Sequence, residues 1–266
     1  MTRNALILVA AGKGTRAGMS IPKQYQTISG KTLLAHTLEN LQKAHDFSVI
    51  RVVVSANDLW IDDVLESLGL SGVTTVGGAT RTKSVLAGLE SLKNLGIERV
   101  FIHDAARPFV TQSLISDLNS ALDSTEGAAP ALPIADAVKT LDGASVDRDS
   151  LRRIQTPQAF HYDAIYTAFQ NHARQKSYAD DIAVAHAAGM TLSFTEGSPD
   201  NFKVTYPEDF AKAANMMDKA ISPQGQDLTS TNSIQRRWTH YGCAAFRSSA
   251  DIVFLDIPMP MQVCMR

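Results

Sequence analysis

The chain is poor in cysteine: of its 266 residues only Cys243 and Cys264 are cysteines, both near the C-terminal end. Two such residues make no disulfide framework and have no metal-ligand spacing, so a reducing cytoplasm is the expected location. Basic charge is not in excess, with 25 Lys and Arg against 27 Asp and Glu. A duplex-binding protein would carry a basic stripe, so no nucleic-acid partner is expected. No apolar run is long enough to span a bilayer. The N-terminal run is short and enters a glycine turn without a small-residue cleavage site. It reads as a core strand, and neither a signal peptide nor a membrane partner is expected. The nucleotide fingerprints GxGxxG and GxxxxGK[ST] are missing, and no internal repeat is present.

What is present is organised around Leu6 to Lys23, LILVAAGKGTRAGMSIPK. The run Leu6, Ile7, Leu8, Val9 has the character of a buried parallel strand. It opens into a small-residue turn, Ala10-Ala11-Gly12-Lys13-Gly14-Thr15-Arg16, with Pro22-Lys23-Gln24 after a short loop. Backbone N–H groups with no side chain in the way make an anion cradle, usually for phosphate. Lys13, Arg16 and Lys23 supply cations around it. Charge that builds on the equatorial oxygens during phosphoryl chemistry is stabilised by such fixed cations.

Strand and helix signals then alternate. Thr32–Ala44, Asp58–Leu68, Val85–Leu95 and Gln112–Asp123 read as helices; Val49–Ser55, Val73–Val76, Arg99–His103 and Ala128–Ile134 read as strands. Val138–Gln155 is charged and loop-like with a turn at Gly143, an arm suited to reaching a partner subunit. Helices are expected again over Pro157–Gln170 and Ala179–Ala188, strands over Thr191–Glu196 and Asn201–Thr205, and a last helix over Pro207–Ala220. This order implies an α/β fold: a three-layer, doubly wound, mostly parallel sheet. Ligands of such sheets sit beyond the carboxyl ends of the strands, and each unusual motif follows a strand there.

Three further motifs lie at that edge. Gly77-Gly78 with Arg81 and Ser84 can let backbone approach a planar base, or can be an ordinary strand-to-helix connection. In His103-Asp104-Ala105-Ala106-Arg107-Pro108, Asp104 is placed to hold Mg²⁺ directly or through water, and His103 reads as a core or hydrogen-bonding residue. Lys203, on the edge strand expected at Asn201–Thr205 and pointing toward the same edge, can bind a second phosphate.

Taken together, AAGKGTR…PKQY, GGATRTKSVLAGL, HDAARP, Asp147-Arg148, TPQAF and DNFKVTYPEDF resemble the 2-C-methyl-D-erythritol 4-phosphate cytidylyltransferases, in order from about Leu6 to Met217. The resemblance implies a Rossmann-like nucleotidyltransferase fold with a protruding dimerisation arm at about 137–156 and a domain of residues 1–222. It implies that CTP and methylerythritol 4-phosphate react, with Mg²⁺, to give 4-diphosphocytidyl-methylerythritol and pyrophosphate. Arg16 and Lys23 would stabilise the transition state. Ala10, Ala11, Gly12 and Gly14 would line the triphosphate loop, Gly78 and Ser84 would meet cytosine, and Asp104 and Ala105 would sit at the ribose and Mg²⁺. Lys203 would bind the methylerythritol phosphate with Arg107 in support. Arg148 would reach in from the other subunit of a homodimer, near Thr156. A phosphate dianion needs no general base. The chain has Ala79, Ala137 and Ala179 where relatives often carry Asp, Thr and Thr. A relative acting on another polyol phosphate, such as ribitol 5-phosphate, and a non-catalytic nucleotide-binding regulator are the alternatives.

After Ser222 the composition changes, and residues 223–266 are expected to be a disordered tail. Relatives fused to a zinc-dependent cyclodiphosphate synthase carry GxDxH and GHSDADxxxHA, absent here. Codons for Ile257–Met265 read one base earlier can give HSDADAGLH, and those for Asp227–Thr231 can give GFDVH. A frameshift near Ser222 to Gln226 in a once-bifunctional gene is therefore expected, with a natural lineage-specific extension as the alternative, and codons that fail to give both motifs would sink it.

Overall fold

Residues 5–8 of Asn4–Val9 (β1) are 0% exposed, so this strand is the middle of the sheet rather than its rim. The computed structural model describes residues 2–12, 21–174 and 176–221. The expected tail lies outside them, and the compact unit to which they belong ends at Ile221.

The chain continues through a one-turn 3-10 helix at Lys23–Tyr25, Thr27–Ile28 (β2), Lys31–Thr32 (β3), Leu33–Ala44 (α1), Val49–Val54 (β4), Ile61–Ser67 (α2), Thr74–Val76 (β5) and Arg81–Glu90 (α3). Arg99–Asp104 (β6), Gln112–Ala121 (α4), Gly127–Leu132 (β7), Val138–Lys139 (β8), Ser145–Val146 (β9), Arg153–Ile154 (β10) and Gln158–His161 (β11) follow. Tyr162–His172 (α5), Asp181–Ala187 (α6), Leu192–Glu196 (β12) and Pro207–Ile221 (α7) complete it. The eight-stranded sheet runs β10-β7-β11-β6-β1-β4-β5, with β12 beside β7. β1 is parallel to β4 and β6, β4 to β5, and β7 to β12, whereas β11 and β10 run against their neighbours.

The period-2 alternation of β1 feeds two cores. Leu6 and Leu8 pack with α1, α2 and α4 through Leu38, Val64 and Leu118. Ala5 and Ile7 pack on the other face with α3, α5 and α6 through Leu89, Phe169 and Val184. This is the three-layer architecture expected. A smaller cluster of Ile28, Leu33, Ala106, Val204, Ala213 and Met217 seats α7 beside the site edge. Helix starts are capped by side chains as their sequences suggest: Thr32, Thr80, Thr111 and Asp180 each accept an N–H from the first turn.

Three expectations change. The helix expected over Pro157–Gln170 begins only at Tyr162, because Gln158–His161 is inserted as a strand between β6 and β7. Ala159 and Phe160 point to opposite faces and are both fully buried, a pattern that four residues cannot distinguish from a helix turn. Asn201–Thr205 is not a strand. It is tied by single bonds, Val204 N donating to the Ala106 carbonyl at 2.8 Å. The helix expected from Val85 starts at Arg81, where Thr80 caps it. The arm is a separate antiparallel hairpin, β8 with β9, turning at Gly143 in the left-handed region at φ 91°.

Candidate active site

β1 leads to β4 on one side, and β6 returns to its other side, so the strand order reverses at β1. A crevice opens at such a reversal, beyond the carboxyl ends. Here it is a cleft of about 690 Å³, walled by the ends of β1, β4, β5 and β6, the start of α3 and residues 203 and 205.

Ala10, Ala11 and Gly12 form one wall with Lys23 and Gln24. The Gln24 side chain is buried under this turn and donates from Nε2 to the carbonyls of Ala10 at 2.7 Å and Gly12 at 3.0 Å. Lys23 Nζ donates to the Val204 carbonyl at 2.7 Å, joining the 3-10 turn to the segment that carries Lys203. Gly14 and Arg16 lie outside the described residues, as does Lys13.

Opposite them is the glycine pair. A Cβ on Gly77 would stand 2.7 Å from Ser84 Oγ and 2.9 Å from Val53, and one on Gly78 2.5 Å from Lys83 Cβ. Only glycine lets the β5–α3 connection lie this close. The α3 helix is drawn onto the sheet by Gly88, whose added Cβ would meet Ile7 at 2.8 Å. Ser84 Oγ accepts from Gly78 N at 3.2 Å and donates to the Gly78 carbonyl at 3.3 Å, so this hydroxyl closes the turn. Ser84 thus closes the strand-to-helix connection and stands on the cleft wall at the same time.

Asp104 ends β6 on the cleft floor. Arg81 Nε donates to its Oδ1 at 3.1 Å and Lys203 Nζ to its Oδ2 at 2.7 Å. Burial pushes the Asp104 carboxyl up, but Arg81 and Lys203 outweigh it and hold the group far below the usual carboxylate range. Arg81 is gripped in turn by Asp181, 1% exposed, through two bonds of 2.8 Å. Burial pushes the Asp181 carboxyl up and Arg81 opposes it. Because both its oxygens accept from Arg81, the geometry is that of a carboxylate. Gln158 Oε1 accepts from the N–H groups of Asp181 and Ile182 at 3.0 and 2.8 Å, fixing the start of α6.

Behind Asp104 lies fully buried His103. Its Nε2 faces the Arg107 carbonyl at 2.9 Å, so that nitrogen carries the proton, and Nδ1 accepts from Thr156 Oγ1 at 3.0 Å. The same Thr156 oxygen accepts from Asp104 N at 3.2 Å. Burial holds His103 down at about 4. Thr156 and Arg107 are therefore behind the cleft wall, not on it. Thr156 is 4% exposed with its hydroxyl proton engaged, and Arg107 Nη1 donates to the Asn201 carbonyl at 2.8 Å, bracing the segment before Lys203. Arg148 sits on the exposed arm, bonded to the Ala135 carbonyl, and is not part of this chain's cleft wall.

Ala105, Gly78 and Lys203 are on the wall. Sequence reasoning missed Gln24, Ser55, Ala56 and Asp181. Ser55 and Ala56 follow the buried run of β4, so their position at the edge was readable; Asp181 acts over 100 residues of separation and was not. Among the described residues no three His, Cys, Asp or Glu side chains cluster as a metal site. Mg²⁺ commonly takes one or two carboxylates plus phosphate oxygens and water. Asp104 fits that need: it is ionised, faces the cleft, and keeps lone pairs beyond its two ion pairs. No helix among the described residues is long and apolar enough to cross a membrane.

Residues 4–219 match the family model of 2-C-methyl-D-erythritol 4-phosphate cytidylyltransferase. A protein of that name from Cereibacter sphaeroides is 46% identical over 218 residues, 80% of this chain and 96% of its own. A bifunctional enzyme IspD/IspF from Nitrobacter winogradskyi is 41% identical over 265 residues, 97% of this chain but 64% of its own length. The crystal structure of a 4-diphosphocytidyl-2C-methyl-D-erythritol synthase from Anaerococcus prevotii superposes with TM-score 0.71 at 26% identity, covering 82% of this chain and 99% of that one. With its Rossmann-like sheet and the cleft at its strand reversal, the chain belongs to the IspD family of 2-C-methyl-D-erythritol 4-phosphate cytidylyltransferases.

Proposed function

We propose that this cleft transfers CMP from CTP to 2-C-methyl-D-erythritol 4-phosphate. A phosphate oxygen of the acceptor attacks the α-phosphorus in line, the bond from that phosphorus to the bridging oxygen breaks, and pyrophosphate leaves. The observation that carries the reading is that Lys23 and Asp104 are tied to the adjacent residues Val204 and Lys203. One segment thus brings two cations and a carboxylate to the edge where the phosphate turn and the glycine pair meet.

In this reading Ala10, Ala11, Gly12 and Gly14 hold the triphosphate, and Gly78 and Ser84 hold cytosine through the closed turn. Asp104 and Ala105 take the ribose. Lys23 and Arg16 face the α-phosphorus, where fixed cations stabilise the charge that develops. Lys203 takes the acceptor's phosphate, while Arg107 and Thr156 set the backbone around it. Asp104 would hold Mg²⁺, which when bound neutralises triphosphate charge. Arg148 would serve the cleft of a second copy in a homodimer, which suits a hairpin that stands apart from the main sheet and carries fully exposed Leu141. The cytoplasm is the proposed location. The catalytic unit is proposed to be residues 1–222, with 223–266 an out-of-frame remnant of a second domain; bifunctional IspD/IspF enzymes among the relatives support a former fusion.

Pyrophosphate release from CTP tests the reading, measured with methylerythritol 4-phosphate, with ribitol 5-phosphate, and with EDTA. Turnover is expected with the first acceptor and is expected to stop on chelation. Turnover with ribitol 5-phosphate alone would transfer the reading to another polyol phosphate, and CTP binding without any turnover would make the chain a regulator.

A further inference from the structure

We propose that Gln24 is a positioning residue for the triphosphate: it turns the carbonyl face of the first loop away from the anion. This rests on the CTP reading of the cleft. Gln24 is 5% exposed, and its amide nitrogen lies 2.7 Å from the Ala10 carbonyl and 3.0 Å from the Gly12 carbonyl. Both partners can only accept. The end of the side chain that faces them is therefore the NH₂ donor, since the other orientation would set three oxygens against one another.

The consequence for the loop follows from peptide planarity. In a trans peptide the C=O and the following N–H point in opposite directions. Pinning the Ala10 carbonyl onto Gln24 turns the Ala11 N–H away from Gln24. Ala10 N is already engaged, donating to the Val53 carbonyl at 2.8 Å. The turn is thereby held at both ends of Ala10 and again at Gly12. A glycine-containing turn can otherwise rotate its peptide planes at little cost. Rotation of either plane would bring a carbonyl dipole toward the triphosphate in place of an N–H. Gln24 thus supplies from outside the loop the rigidity that the loop's small residues lack, and preorganised donors are what anion binding requires.

The experiment uses the full chain with Gln24→Glu and Gln24→Ala. Glutamate keeps the shape of glutamine but, when ionised, cannot donate and repels both carbonyls. Binding of CTP and of inorganic pyrophosphate is measured by calorimetry, and of cytidine by NMR at millimolar concentration, from pH 8 to pH 5. At pH 8 the Glu variant is expected to bind CTP and pyrophosphate about 10-fold or more weakly, the scale for unpairing buried acceptors. Cytidine is expected to stay within about twofold, because the base turn at Gly78 is a separate element. As pH falls, the buried carboxyl protonates and regains one donor. Relative to wild type at the same pH, its CTP binding is expected to recover, whereas the Ala variant does not.

Two results would overturn the proposal: CTP and pyrophosphate binding within about twofold of wild type in both variants, or loss of cytidine binding in step with CTP. If the Glu variant does not fold, the split between pyrophosphate and cytidine in the Ala variant decides by the same criteria. Failure of the wild-type chain to bind CTP at all would instead overturn the cytidylyltransferase reading, and this one with it.

Discussion

Asp181 holds Arg81 at both Nη1 and Nη2, each 2.8 Å from a carboxylate oxygen, while Arg81 Nε reaches Asp104 at 3.1 Å. The order Lys203, Asp104, Arg81, Asp181 alternates in charge from the cleft to the core of α3 and α6. A buried ion pair adds little over an apolar pair, but removing one partner leaves an uncompensated charge. Asp181→Ala is expected to lower folding stability by roughly 3–5 kcal/mol, read as a shift of the urea midpoint at unchanged slope. A loss below about 1 kcal/mol would mean that Asp104 alone satisfies Arg81.

Lys23 separates binding from chemistry. Its ammonium is held by the Val204 carbonyl on the cleft wall. A cation that acts on charge built up in the transition state should affect kcat more than ground-state affinity. Lys23→Ala is expected to lower kcat by about 10²–10³-fold, with the dissociation constant of CTP within about threefold. Equal losses in both, measured by single turnover and calorimetry, would leave Lys23 as a binding residue only.

The glycine pair gives a steric test. A Cβ at Gly78 would lie 2.5 Å from Lys83 Cβ, an atom next to the helix backbone that cannot swing away. Gly78→Ala must push the β5–α3 connection off its place, at a cost of about 1–3 kcal/mol for overpacking. The Ser84 bridge to Gly78 would open with it. The Michaelis constant for CTP is expected to rise while that for the acceptor stays. An unchanged CTP constant would show that the turn does not carry the base.

Much of this was legible in the sequence, for a physical reason. Parallel strands buried on both faces read as continuous apolar runs, so β1, β4 and β6 were visible, and with them the edge where Gly12, Gly78 and Asp104 had to lie. What was not legible depends on contacts distant in the chain. Gln158–His161 became a strand because β6 and β7 leave a slot for it. Thr156 and Arg107 carry groups suited to a phosphate, but the Thr156 hydroxyl turns to His103 and an Arg107 Nη1 N–H to the Asn201 carbonyl behind the wall, which no spacing rule reports. Asp181 stands next to the Asp180 cap at the start of α6, and its partner Arg81 is 100 residues earlier.

Acid should weaken the fold at the end of the sheet opposite the cleft. His45 follows α1, faces Phe47 edge-on at 4.8 Å, and places Nε2 2.8 Å from Asn4 Nδ2, which can only donate. Nε2 is therefore unprotonated, and burial pushes the ring's pKa below its ordinary 6.5, with Asp46 opposing. The unfolded chain then binds more protons than the folded one below about pH 6.5, so stability falls as pH drops through that value. His45→Gln is expected to flatten the fall between pH 7 and pH 5 in urea titrations. A residual slope remains from His103, held at about 4. An unchanged slope in the variant would remove His45 from the account.

The arm can be tested by mixing two inactive chains. Arg148 is exposed on the hairpin side of the molecule and is absent from the wall of its own cleft. If it serves the cleft of a second copy, a dimer of Lys23→Ala with Arg148→Ala contains one repaired cleft, having its own Lys23 and the arm of the other chain. The second cleft in that dimer lacks both groups. Random reassortment makes half of the dimers mixed, and half of their clefts are repaired, so roughly a quarter of wild-type activity per chain should return. If Arg148 acted on its own chain, every cleft in the mixture would lack one group and no activity would return. The measurement is pyrophosphate release after the two variants are unfolded together and refolded, compared with the same two refolded apart.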